Sequence, residues 1–128
     1  MRYMLLVHHD EESFRKRADA ERERMLQESV RLAQQLHANG QYRGAAPLHP
    51  SSETKCVRVR DSKPLVTDGP FAETREQLGG YFLIDAKNLD EAIGIAARIP
   101  GARIGTVEIR PVMEVAGLPT DCLDRRIS

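Results

Sequence analysis

Asp68 precedes Gly69-Pro70-Phe71, and a Gly-Pro kink can hold a carboxylate at the rim of a cleft. A carboxylate held by turn amides stays ionised and can orient a histidine or bind a cation. The competing reading is local: Asp68 fixes the turn and Phe71 plugs the core. His8-His9-Asp10 is the second candidate, because imidazole titrates near neutral pH and suits proton transfer. Neighbouring residues on a strand face opposite ways, so the two histidines do not share an ion and no third ligand is identifiable. No metal or other cofactor is expected. His49 closes another extended segment and could meet His8 or His9 in a cavity. Glu73 and Glu76 lie three apart and would share a face on a helical turn, as a pair of carboxylates or as a solvated, salt-bridged turn. Arg58 suits an anionic ligand or a solvated face, and Tyr81 could aim a hydroxyl into a cavity. Cys56 and Cys122 have no basic neighbour to activate them and fit neither a metal spacing nor a disulfide framework. The candidate catalytic groups are therefore Asp68, His8 and His9, with Arg58, Tyr81, Glu73 and His49 as ligand-binding groups.

These residues need elements to position them. Tyr3 to His8 is apolar on both parities and predicts a strand covered on both faces. Phe14 to Asn39 predicts one amphipathic helix, with Met25, Ser29, Leu32, Ala33 and Leu36 on its buried side and Asn39-Gly40 as its stop. Asp10, Ser13 and Asp19 are alternative caps for its start. Tyr42 to Leu48 is a second strand, and Thr54 to Arg60 pairs with Leu65-Val66-Thr67 as a hairpin. Gly79-Gly80 marks a bulge or a close backbone approach before the strand Tyr81 to Ile84. Asn88 and Glu91 open a second helix with a buried stripe of Leu89, Ala92, Ile93, Ala96 and Ala97, stopped by Pro100-Gly101. Thr106 to Val112 is the last strand.

The order strand, helix, three strands, helix, strand is the α+β ferredoxin-like split βαβ plan, with an antiparallel sheet and an extra hairpin. Two helices cover one face of such a sheet. Apolar residues on the other face predict a cover, and a two-fold homodimer packed sheet to sheet supplies it. Residues 1–115 form the domain and 116–128 a tail.

Of 128 residues, 41% are hydrophobic and 30% charged, with 19 basic and 19 acidic side chains. That balance predicts no general attraction to nucleic acid or to an anionic membrane. No apolar run is long enough for a membrane span, and the first strand is too short for a signal sequence, so a cytoplasmic location is expected.

The segment from Val66 through Asp68-Gly69-Pro70-Phe71 and Gly79-Gly80-Tyr81 resembles the DGPF-domain branch of the YCII-related family. The likeness continues through Phe82–Ala86, Leu89–Ala92, Ala97–Pro100 and Val107–Glu114. It takes in Met1–Leu6 and Val57–Arg60, and so spans roughly residues 1–115. The resemblance implies a ferredoxin-like subunit that pairs into a dimeric α/β barrel. It also implies a His–Asp pair in a pocket beside the sheet, with the histidine near the start of the first helix. Here Ala18 to Leu26 holds no histidine, and His37 lies at the helix's far end. The expected function is binding of a small polar molecule beside the sheet, with acid–base chemistry on it. The alternative is a regulatory or accessory protein that binds a protein partner, such as the extracytoplasmic-function sigma factors with which DGPF proteins are associated.

Overall fold

The first strand, β1 (Arg2–His9), is the hub of the fold and has a neighbour on each side. The computed structural model describes residues 1–119. After β1 come α1 (Glu11–Arg15), α2 (Asp19–Ala38) and β2 (Tyr42–Pro47). A single 3-10 turn at Ser51–Glu53 leads into β3 (Lys55–Arg60) and β4 (Lys63–Asp68). Then follow β5 (Gln77–Asp85), α3 (Leu89–Ala97), α4 (Gly101–Ile104) and β6 (Thr106–Pro111). One antiparallel sheet has the order β2-β5-β1-β6, while β3 and β4 form a separate hairpin. The sheet is open and does not close into a barrel within the chain.

Of the two apolar sides of β1, the structure covers one within the chain. Tyr3 and Leu5 are buried under the helices, paired with Ile84 and Phe82 of β5. Leu32 and Leu36 of α2, Ala92, Ile95 and Ala96 of α3, and Ile99 complete that core. Met4, Leu6, Tyr81 and Leu83 project to the other side of the sheet and are half-buried. No described helix packs there: both α2 and α3 bury their apolar residues on the Tyr3–Leu5 side.

Several local expectations need correction. The long first helix is two helices, since the chain breaks at Lys16–Ala18. Asp10 caps α1 by accepting the amides of Glu12 and Ser13, at 3.1 and 3.2 Å. The N-cap of α2 is Ala18, with no side-chain bond. The Glu73–Glu76 segment is irregular and not a helical turn. Phe71 does not plug the core; it is exposed, with the Arg58 guanidinium 5.6 Å from its ring centre. Leu89 and Ile93 are half-exposed and Ala97 is exposed, and Ile95 joins Ala92 and Ala96 in the buried stripe of α3. Pro100-Gly101 ends α3 as expected but opens the short α4. Asn88 accepts the Glu91 amide at 2.9 Å, whereas Glu91 reaches back to the amide of Lys87 at 3.0 Å.

The expected hairpin is present. Asp61 and Ser62 form its turn, both with positive φ, as a tight two-residue loop between twisted strands requires. Cys122 and the last part of the expected tail lie outside the described residues.

Candidate functional site

Gly79 is the extra residue of a bulge. Val7 pairs with Gly80, but the next residue, His8, pairs with Leu78. Bulges re-aim side chains, and this one sits where β1 delivers two histidines. A Cβ on Gly79 would lie 2.3 Å from Cε1 of His9, so the missing side chain is the space the imidazole occupies. The other side of the His9 ring meets Phe14 of α1, 4.8 Å between ring centres. Gly80 lets the end of β2 close in, because a Cβ there would be 2.9 Å from the Ala46 carbonyl oxygen. The sequence reading of Gly79-Gly80 as a bulge and close approach holds in both respects.

His9 opens onto a cavity of about 580 Å³ between α2 and the sheet, lined along the helix from Arg22 to His37. Its walls are mainly apolar, among them Val7, Phe14, Met25, Leu26 and Val30. Arg22, Ser29, Gln34, His37 and Tyr42 add polar groups. The cavity exists because α2 is seated at one end: Leu32 and Leu36 are buried in the core, while Met25 and Ser29 face the open space. Arg22 is already engaged, through Asp19 and through the Arg15 carbonyl at 2.9 Å.

Burial holds the His9 imidazole below its ordinary pKa of 6.5, outweighing the opposing pull of Glu11, Glu76 and Asp10. His9 is therefore neutral at pH 7, with one ring nitrogen free to accept a proton. The unfolded chain takes up that proton near 6.5, the native chain only at lower pH. Stability contributed by neutral His9 is thus present above 6.5 and is lost as pH falls from 6.5 through the native pKa. An NMR titration of the His9 ring protons should give a midpoint under 6.5. A midpoint above 6.5 would show that the ring is solvated and the carboxylates dominate.

His8 turns the opposite way, to Glu108 on β6, with Nε2 and Oε1 3.1 Å apart. Only His9 of the three proposed catalytic residues lines the cavity. Asp68 ends β4, 83% exposed, and pairs with Lys55 across the hairpin. Arg58 lies on the same hairpin, against Phe71. His49 is 89% exposed and faces Glu53 at 3.5 Å, and Glu73 is exposed. Tyr81 borders the cavity, but its pairing with Leu6 puts its side chain on the helix-free face. Phe14, Arg22 and Ser29 went unmarked as site residues. Phe14 belonged to the supposed long helix, and the break that swings it against His9 is not visible in the hydrophobic pattern. No group of three or more potential metal ligands occurs among the described residues, and none of their helices is long and apolar enough to cross a membrane.

Over residues 1–116 the chain matches the YCII-related domain. It is 33% identical over 114 residues to "Uncharacterized protein R00369" of Rhizobium meliloti (strain 1021), an alignment covering 88% of this chain and 92% of that protein. A match across nearly the whole described fold places this chain in the YCII-related domain family.

Proposed function

We propose that this protein binds a small organic molecule with an apolar body in the cavity under α2, and that His9 is its acid–base group. The observation that carries this reading is a neutral imidazole built into the wall of a largely apolar cavity by a bulge glycine. The volume suits a small ligand, since such sites typically span about 300–1,000 Å³. The apolar lining favours a flat or branched hydrocarbon body over the small polar molecule expected from sequence. A neutral His9 can accept a proton or hydrogen bond from a ligand hydroxyl or acidic C–H at one ring nitrogen and donate a hydrogen bond from the other.

The subunit follows the ferredoxin-like plan of the DGPF branch and pairs about a two-fold axis through the helix-free face. Met4, Leu6, Tyr81 and Leu83 supply the apolar centre. At one end, Arg2 and Arg43 share the Asp85 carboxylate, at 3.2 and 2.7 Å. Arg43 Nε is buried with no acceptor among the described residues, which favours an acceptor from a second copy.

The test uses 2-naphthol, an apolar body with a single hydroxyl, and Ser29→Phe, which fills the cavity from a half-buried helix position outside the packed core. Binding to the unaltered protein should move the His9 ring resonances. Ser29→Phe should weaken binding by about tenfold or more, roughly the 1.4 kcal/mol of one decade, while its melting temperature stays close to that of the parent. No binding to the parent, or equal binding by a folded Ser29→Phe protein, would overturn the reading.

A further inference from the structure

The β3–β4 hairpin presents two different faces. Val57 pairs with Val66 and Val59 with Pro64, so these four side chains form one apolar face. Arg58, Arg60, Lys63 and Leu65 share the other. Val57, Val59 and Val66 are 62–64% exposed, whereas every large apolar side chain of β1 and β5 but Leu78 is at least half-buried. A two-stranded hairpin is marginal in water unless something packs on it. The connection to the body is anchored: Gly69 donates to the Thr54 carbonyl at 2.9 Å, and a Cβ on Gly69 would strike Thr54 and the Cys56 sulfur. The base is thus fixed while the apolar face beyond it is left open.

We infer that this hairpin is an arm that crosses to a second copy of the chain and lays Val57, Val59, Pro64 and Val66 on the partner's helix-free sheet face. The inference rests on the two-fold pairing proposed above and specifies how it is made. Area argues for it. Met4, Leu6, Tyr81 and Leu83 are already half-buried and offer less apolar surface than the roughly 800 Å² per partner of a standard interface. The arm adds the missing apolar surface and needs it covered. Reach also fits. Six residues of strand span about 20 Å, and four strands spaced about 4.8 Å apart measure about 15 Å across.

The experiment compares the full-length protein with Val57→Lys/Val66→Lys by light scattering after size exclusion, with circular dichroism to check folding. Both valines are exposed in the single chain, so the substitutions spare its core. The parent should run at twice the 14.4 kDa chain mass, and the double variant should be folded with its dimer dissociation constant raised about 100-fold or more. Isotope-filtered NMR on a mixed labelled and unlabelled dimer should show contacts from the Val57, Val59 and Val66 methyls to Met4, Leu6 or Leu83 of the other copy. A monomeric parent overturns the pairing and the arm together. A dimer that is indifferent to the double variant, without those contacts, overturns the arm and leaves the pairing standing. A monomer whose arm instead binds anionic vesicles also overturns it.

Discussion

Gly105→Ala should lower the unfolding free energy by about 2–4 kcal/mol, a loss in the upper part of the range for single substitutions. The reason is steric. Gly105 has φ −155°, so no left-handed conformation is at stake. A Cβ at this position would lie 2.0 Å from the His8 carbonyl oxygen and 3.0 Å from the His9 Cα. Both obstacles are backbone of β1, which is held on both sides by β5 and β6 and cannot step aside. The same collision would push the His8–His9 segment away from the Gly79 bulge, so the variant should also lose the depressed pKa of His9. Gly94→Ala is the control. Gly94 lies inside α3 with nothing within 4 Å of a Cβ, and alanine there should stabilise by about 0.5–1 kcal/mol. Urea unfolding curves followed by circular dichroism decide both. A Gly105→Ala protein as stable as its parent would show that the close approach of the α4–β6 corner to β1 is not present in solution.

That corner also marks the limit of what could be read from sequence. Periodicity located β1, β6 and the Tyr81–Ile84 part of β5, because alternation at Val107 and Ile109 or double-sided apolarity at Tyr3–Val7 reports burial directly. The Asn88 cap and the hairpin were legible for the same reason, as each depends on residues close together in the chain. Pro100-Gly101 and Gly105 were readable only as punctuation. Their second role, making room for Val7 and His8 of a strand about a hundred residues earlier, is a tertiary fact with no local pattern. The site followed this division. His9 was visible as an ionisable residue at a strand end, and Gly79 as a bulge residue beside it. That the two interlock, and that Asp68 sits on a projecting hairpin with Lys55, depends on where the break before α2 and the hairpin base direct the chain. The DGPF stretch drew notice for its composition, yet of its residues only those after Glu76 reach the cavity wall.

The two ends of α2 should respond in opposite ways to the same chemical change. Leu36 is 0% exposed and Leu32 is buried beside it, and together they pin the C-terminal half of α2 to the core. Leu26, nearly three turns earlier, is 45% exposed and borders the cavity. Leu36→Ala removes buried side-chain atoms and leaves a hole that neighbours fill only partly, so it should cost about 2–5 kcal/mol. Leu26→Ala removes atoms that are already half in water and should cost under about 1 kcal/mol. The pair measures how α2 is seated. Equal and large losses would mean that the helix lies flat on the sheet along its whole length, with no room beneath it for a ligand. A large loss at Leu36 and a small one at Leu26 means that α2 is anchored through the Leu32–Leu36 stripe and not through the side that borders the cavity. The energy that anchors the fold and the space that serves the ligand are then divided along one helix: Leu32 and Leu36 hold it, and Met25, Leu26 and Ser29 are left to line the opening that His9 faces.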